Sequence, residues 1–177
     1  PVRFGLPACA GELDGLVQAM MVSSRKELVY RCADCRIPAL MEMISDAGEE
    51  IDHLNHLAQR LTDMDPKALS TYKALLEATD CKDLQSAETL MDSLDEYIFS
   101  PQYSSPVEVA KGELSVVLCA EDAAFLAPHL NLYQYGQALI KRCGGSLTAY
   151  GLIERKDHQP VQMMEHKPSQ GGMEMSG

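Results

Sequence analysis

The sequence predicts an α+β protein composed of a small αβ head, a central helical bundle and a C-terminal αβ segment. Three observations lead there. Apolar residues keep helical spacing from Pro38 to Leu94, short runs rich in β-branched and aromatic residues flank that stretch, and the acidic charge gathers in the helical part. The resulting division is residues 1–36, 37–94 and 95–155, followed by a tail at 156–177 with too little apolar patterning to fold by itself. A chain of 177 residues that is 46% hydrophobic is long and apolar enough for such subdomains to share a core.

"VRFGLPA" is short and β-like, and "AGELDGLVQAMM" then spaces Leu13, Leu16, Val17 and Met20 as one face of a helix. "ELVYRC" alternates Leu28, Tyr30 and Cys32 against Val29 and Arg31, the pattern of a half-buried strand. "PALMEMI" opens the bundle, and "EEIDHLNHLAQRLTDM" aligns Ile51, Leu54, Leu57, Ala58 and Leu61. Asp65-Pro66 starts the next helix, with Asp as cap and Pro where its missing N–H costs nothing. That helix presents Leu69, Tyr72, Leu75 and Leu76, and a further one runs through Leu84, Ala87, Met91 and Leu94. "EYIFS" reads as a strand, and Ser105-Pro106-Val107-Glu108 as a helix start with Glu three residues after its Ser cap. "ELSVVLCA" fits helix or strand equally. "LNLYQYGQALIKRCGG" is a helix stopped by Gly144-Gly145, and "SLTAYGLIER" a final strand.

Charge is distributed unevenly. Residues 1–36 carry 5 basic and 4 acidic groups, residues 37–100 carry 4 and 14, and residues 101–177 carry 6 and 8, so the middle holds nearly all of the net charge of −11. Neutralising phosphates needs a basic face, which disfavours direct nucleic-acid binding and favours a basic partner surface. No apolar run approaches the roughly 18 residues of a membrane span, and no basic-then-apolar signal pattern opens the chain, so the expected location is the cytoplasm. Six scattered cysteines (9, 32, 35, 81, 119 and 143) are expected as reduced thiols. GxSxG, GxGxxG, HExxH and Walker-type loops are missing, and neither catalysis nor a cofactor is expected.

The sharpest chemical motif pairs Cys32-x-x-Cys35 with His53-x-x-His56. Structural zinc takes four ligands at about 2.0 to 2.3 Å, usually as two close pairs. The HxxH gap is short for that purpose. On a strand Cys32 and Cys35 point to opposite faces. On the helix, His56 falls about 145° from the centre of the apolar face and meets water. A core thiol at Cys32 and two solvated histidines are therefore expected in place of zinc. A redox role would need a helix N-terminus beside the thiols, which the pattern does not supply.

The acidic middle is the remaining candidate. Projected as one helix, residues 83–96 place Glu88, Asp92, Asp95 and Glu96 along one flank, beside Leu84, Ala87, Met91 and Leu94. Like charges at i,i+4, such as Glu88 and Asp92, cost a helix about 0.2 to 0.5 kcal/mol, so they do not serve the helix itself. Glu42, Asp46, Glu49, Asp52, Asp63, Asp65, Glu77, Asp80 and Asp83 extend the expected surface. An acidic face also serves plain solubility.

"EIDHLNHLAQRLTDMDPKALSTYKALLEA", "DLQSAETLMDSLDEYIFSP" and "NLYQYGQALIKRCGGSLTAYGLIER" resemble the ArdA-type antirestriction proteins of conjugative elements, particularly divergent members from gut Firmicutes. The likeness rests on the "LNxLAxxL" helix, the "LDEYIF" passage into a strand and "YGxAL…YG", over residues 2–156. It implies an elongated three-part dimer that mimics bent B-DNA and occupies the DNA-binding groove of type I restriction-modification enzymes. Duplex DNA carries one charge per about 1.7 Å, so −11 matches about 19 Å of duplex, and a dimer about 37 Å. The basic Lys141, Arg142, Arg155 and Lys156 depart from a charge mimic. A partner-binding accessory protein of a mobile element and a small zinc-binding module are the alternatives.

Overall fold

The computed structural model describes residues 2–163. These form an α+β fold of eight α-helices and three strands: α1 (Ala10–Met20), α2 (Pro38–Ala47), α3 (Ile51–Asp63), α4 (Pro66–Ala78), α5 (Leu84–Asp92), β1 (Tyr97–Ser100), α6 (Pro106–Val117), α7 (Ala120–Leu126), α8 (Leu132–Arg142), β2 (Ser146–Thr148) and β3 (Gly151–Arg155). Single 3₁₀ turns occupy Arg25–Glu27, Leu94–Glu96 and Ala127–His129. No helix among the described residues is long and apolar enough to cross a membrane.

Helix starts obey local chemistry. Asp65 accepts from the Ala68 N–H at 2.8 Å, Asp83 from Ser86 at 2.8 Å, Ser105 from Glu108 at 3.3 Å and Asn131 from Gln134 at 3.1 Å. The Glu108 carboxylate reaches past the cap to the Ser104 N–H at 2.6 Å. The ambiguous Glu113–Ala120 stretch continues α6 as far as Val117. After α8, Gly145 donates back to the Ile140 carbonyl at 3.0 Å, which closes the helix.

The main core lies among α2 to α5, where Leu40, Leu57, Tyr72 and Leu75 are fully buried. Tyr72 donates its hydroxyl to the Ala87 carbonyl at 3.0 Å, tying α4 to α5 without leaving a polar group unsatisfied. The sheet has the order β1-β3-β2 and is antiparallel throughout, with Tyr97 opposite Arg155 and Thr148 opposite Gly151. Alternate residues of central β3 face opposite ways. Ile153 enters the main core, while Leu152 joins Val109 and Leu139 in a second one beneath α6 and α8. Packing is therefore continuous across residues 94 and 95.

Two glycines in the "YG" motifs permit close approach. A Cβ on Gly136 would lie 1.7 Å from the Pro106 carbonyl oxygen, where α8 meets the start of α6. Gly151 has φ +141, and its Cβ would stand 2.6 Å from the Ser100 oxygen in β1.

Several expectations need correction. Among the described residues no strand precedes Tyr97: Val2–Ala8 and Leu28–Cys32 are not strands, and the head contributes one α-helix and a 3₁₀ turn. Alternation is insufficient without a neighbouring edge to pair with, and side chains anchor these segments in its place. Asn55 accepts from the Ala8 N–H at 2.7 Å and donates to the Ala8 carbonyl at 2.9 Å, and Tyr30 donates to the Glu49 carbonyl at 2.7 Å. "SLTAYGLIER" is a hairpin of two strands, its turn braced by the Thr148 hydroxyl, which donates to the Gly151 carbonyl at 2.8 Å. The helix expected to run through residue 96 ends at Asp92. Of the expected tail, residues 156–163 return along the fold: Val161 donates to the Gly144 carbonyl at 3.0 Å and packs against the main core. The rest of that tail, residues 164–177, lies outside the described residues.

Candidate interaction surface

Helices α3 and α5 are joined by a polar row. His53 places Nδ1 2.8 Å from Glu49 Oε2 and Nε2 2.9 Å from Glu88 Oε1, and Arg60 pairs with Asp92 farther along the same two helices. The row continues into the head through Arg25, whose guanidinium meets Asp14 at 2.7 Å, Asp52 at 2.6 Å and the Ala10 carbonyl at 3.1 Å. Lys26 pairs with Glu50 at 2.9 Å. Six carboxylates (Asp14, Glu49, Glu50, Asp52, Glu88 and Asp92) thus face three permanent cations, for a net −3 with His53 neutral. Exposed pairs of this kind contribute little stability, but they fix where the charges stand. Glu49 and Glu88 raise the pKa of His53 above its ordinary value, against the opposing effect of burial.

Of the carboxylates expected on the acidic surface, Glu49, Asp52, Glu88 and Asp92 come together here. The other described ones make no bond within this row. Asp65 and Asp83 cap helices, Asp63 accepts from Gln59 at 2.8 Å, and Glu77 accepts from the Ala149 N–H at 2.9 Å in the β2–β3 turn. Asp80 pairs with Lys82 at 2.5 Å. Because α5 ends at Asp92, Asp95 and Glu96 leave the flank: Asp95 is exposed on a 3₁₀ turn, and Glu96 turns to Arg155 of the sheet at 3.8 Å. Glu42 is exposed on α2, and the side chain of Asp46, on the same helix, lies outside the described part.

The cysteine and histidine pairs separate. Cys35, rather than Cys32, packs against the main core, and half-buried Cys32 donates locally to the Asp34 carbonyl at 3.5 Å. Burial raises the Cys32 pKa, which works against a reactive thiolate. His56 is exposed, whereas His53, expected in water, is held between two carboxylates. Among the described residues no group of three or more His, Cys, Asp or Glu side chains is arranged to hold a metal ion.

Sequence reasoning missed Arg25 and His53. Glu49 and His53 stand at the i,i+4 spacing that brings side chains together, a local clue to one half of the bridge. Arg25 carried no such clue, since Asp52 lies 27 residues away. A different surface was also missed: Val116 (82% exposed), Val117, Phe125 (70%), Leu130 and Tyr133 are apolar and open to solvent, and α7 buries none of its residues.

Comparisons of the chain with protein-family models, curated proteins and solved structures find no match.

Proposed function

We propose that the chain is a non-catalytic antirestriction protein that engages the basic DNA-binding cleft of a type I restriction-modification enzyme. The observation that supports this reading is the carboxylate row of α3, α5 and the head, with twice as many acids as permanent cations. Charges already held by the fold lose little freedom on binding, and their field steers a basic partner. The net charge of −11 suits a short stretch of duplex, about 19 Å per chain.

The test is displacement of DNA from a type I methyltransferase in a gel-shift competition. The expected result is displacement at low ionic strength that weakens as salt rises; no displacement at low salt overturns the proposal. Exposed Asp52 and Asp92, changed together to Lys, should weaken competition at least tenfold, about 1.4 kcal/mol.

The exposed apolar residues from Val116 to Tyr133 favour a second reading, a mobile-element accessory protein that docks a partner, or a second copy of itself, through apolar contact. Binding that ignores salt and is lost in Phe125→Ser would replace the first reading with this one. Sedimentation of the same variant distinguishes a foreign partner from self-association.

A further inference from the structure

His53 is bonded at both ring nitrogens to carboxylate oxygens, Glu49 at 2.8 Å and Glu88 at 2.9 Å. A neutral imidazole has one N–H and one lone pair. In either tautomer, therefore, one nitrogen would aim its lone pair at a carboxylate oxygen less than 3 Å away. The arrangement is satisfied when the three groups hold one more proton than a neutral ring and two carboxylates. We infer that Glu49, His53 and Glu88 form a proton-dependent clasp between α3 and α5, closed with His53 as imidazolium and opened when that proton leaves to solvent.

The neighbouring charges leave this assignment intact. Arg25, from the 3₁₀ turn beside α3, is committed to Asp14 and Asp52, and Lys26 to Glu50. Arg60 of α3 and Asp92 of α5 neutralise each other. Tyr30 spends its hydroxyl on the Glu49 carbonyl, and Tyr72 of α4 spends its own on Ala87; burial raises the pKa of both, so neither competes as an anion. At the ring, Glu49 and Glu88 favour the charged form and burial opposes it.

In the unfolded chain His53 titrates near the ordinary imidazole value, about 6.5, and in the folded chain above it. The clasp therefore stabilises fully below about pH 6.5, and its contribution is lost as pH rises through the folded value. Proton loss also takes the carboxylate row from −2 to −3, so the same event loosens the helix pair and makes its surface more anionic.

The experiment is a nitrogen-15 titration of the histidine rings in the full chain from pH 5.5 to 9. The midpoint for His53 should lie above about 6.5, with both ring nitrogens protonated below it; a midpoint at or below that value overturns the inference. In Glu88→Gln the midpoint should fall, and an unchanged midpoint rejects the two-armed clasp. As pH rises through the window, the unfolding constant of the wild type should increase relative to His53→Gln by up to about tenfold per pH unit, the limit for one proton. Parallel profiles for the two proteins also overturn it. If Glu88→Gln fails to fold, the wild-type midpoint decides alone.

Discussion

The α3–α5 face is rich in acids, and the segment from Val116 to Tyr133 is rich in apolar side chains; the fold treats the two in opposite ways. On α3 and α5 much of the charge is engaged internally, by Arg25, His53 and Arg60. From Val116 to Tyr133 apolar side chains are left uncovered, and α7 buries none of its seven residues. Charge counted from a sequence thus overstates the charge free for a partner, and apolar content overstates the core. A binding surface is what remains after the fold has used its share.

The sharpest way to break this contrast is to truncate a ring that the fold covers and one that it leaves open. Tyr72→Ala removes a fully buried ring and its bond to Ala87, and should cost about 3–5 kcal/mol in chemical denaturation. A loss below about 1 kcal/mol would mean that the bundle is not the stable part. Gly136→Ala forces a methyl into the Pro106 carbonyl and should cost about 3 kcal/mol, seen as a lower melting temperature; near-wild-type stability would show that α6 and α8 can separate freely. Asn55→Ala should cost about 1–2 kcal/mol and speed amide exchange at Ala8, since both bonds to that backbone disappear. Phe125→Ser should leave stability within about 0.5 kcal/mol of wild type, because the ring is exposed; a larger loss would place it in the core.

The parts of the fold that were legible in the sequence are those decided within one or two turns of chain. The Asp65-Pro66 and Ser105-Pro106 starts and the Ile51, Leu54, Leu57 stripe stand as their spacing dictates. Pairing was not legible, because a ladder depends on a distant edge. β1 pairs with a strand more than fifty residues away, while Leu28–Cys32 alternates equally well and finds no edge. The acidic surface was legible in composition but not in arrangement. Carboxylates look alike in sequence whether they cap a helix, as Asp83 does, or bridge two helices through a histidine, as Glu88 does. The motif residues Asn55, Gly136 and Gly151 have backbone reasons that their spacing in the sequence does not reveal.

The placement of β3 bears on the order of events during synthesis. Ile153 and Leu152 complete the two cores from opposite faces of one strand, and among the described strands it is synthesised last. Until residues 151–155 emerge, the nascent helices hold two unfinished apolar faces, and β1 waits with an open edge. Long-range closure of this kind is slow and exposes the chain to misassociation. The two cores should therefore wait for β3 and close together, in a single late step.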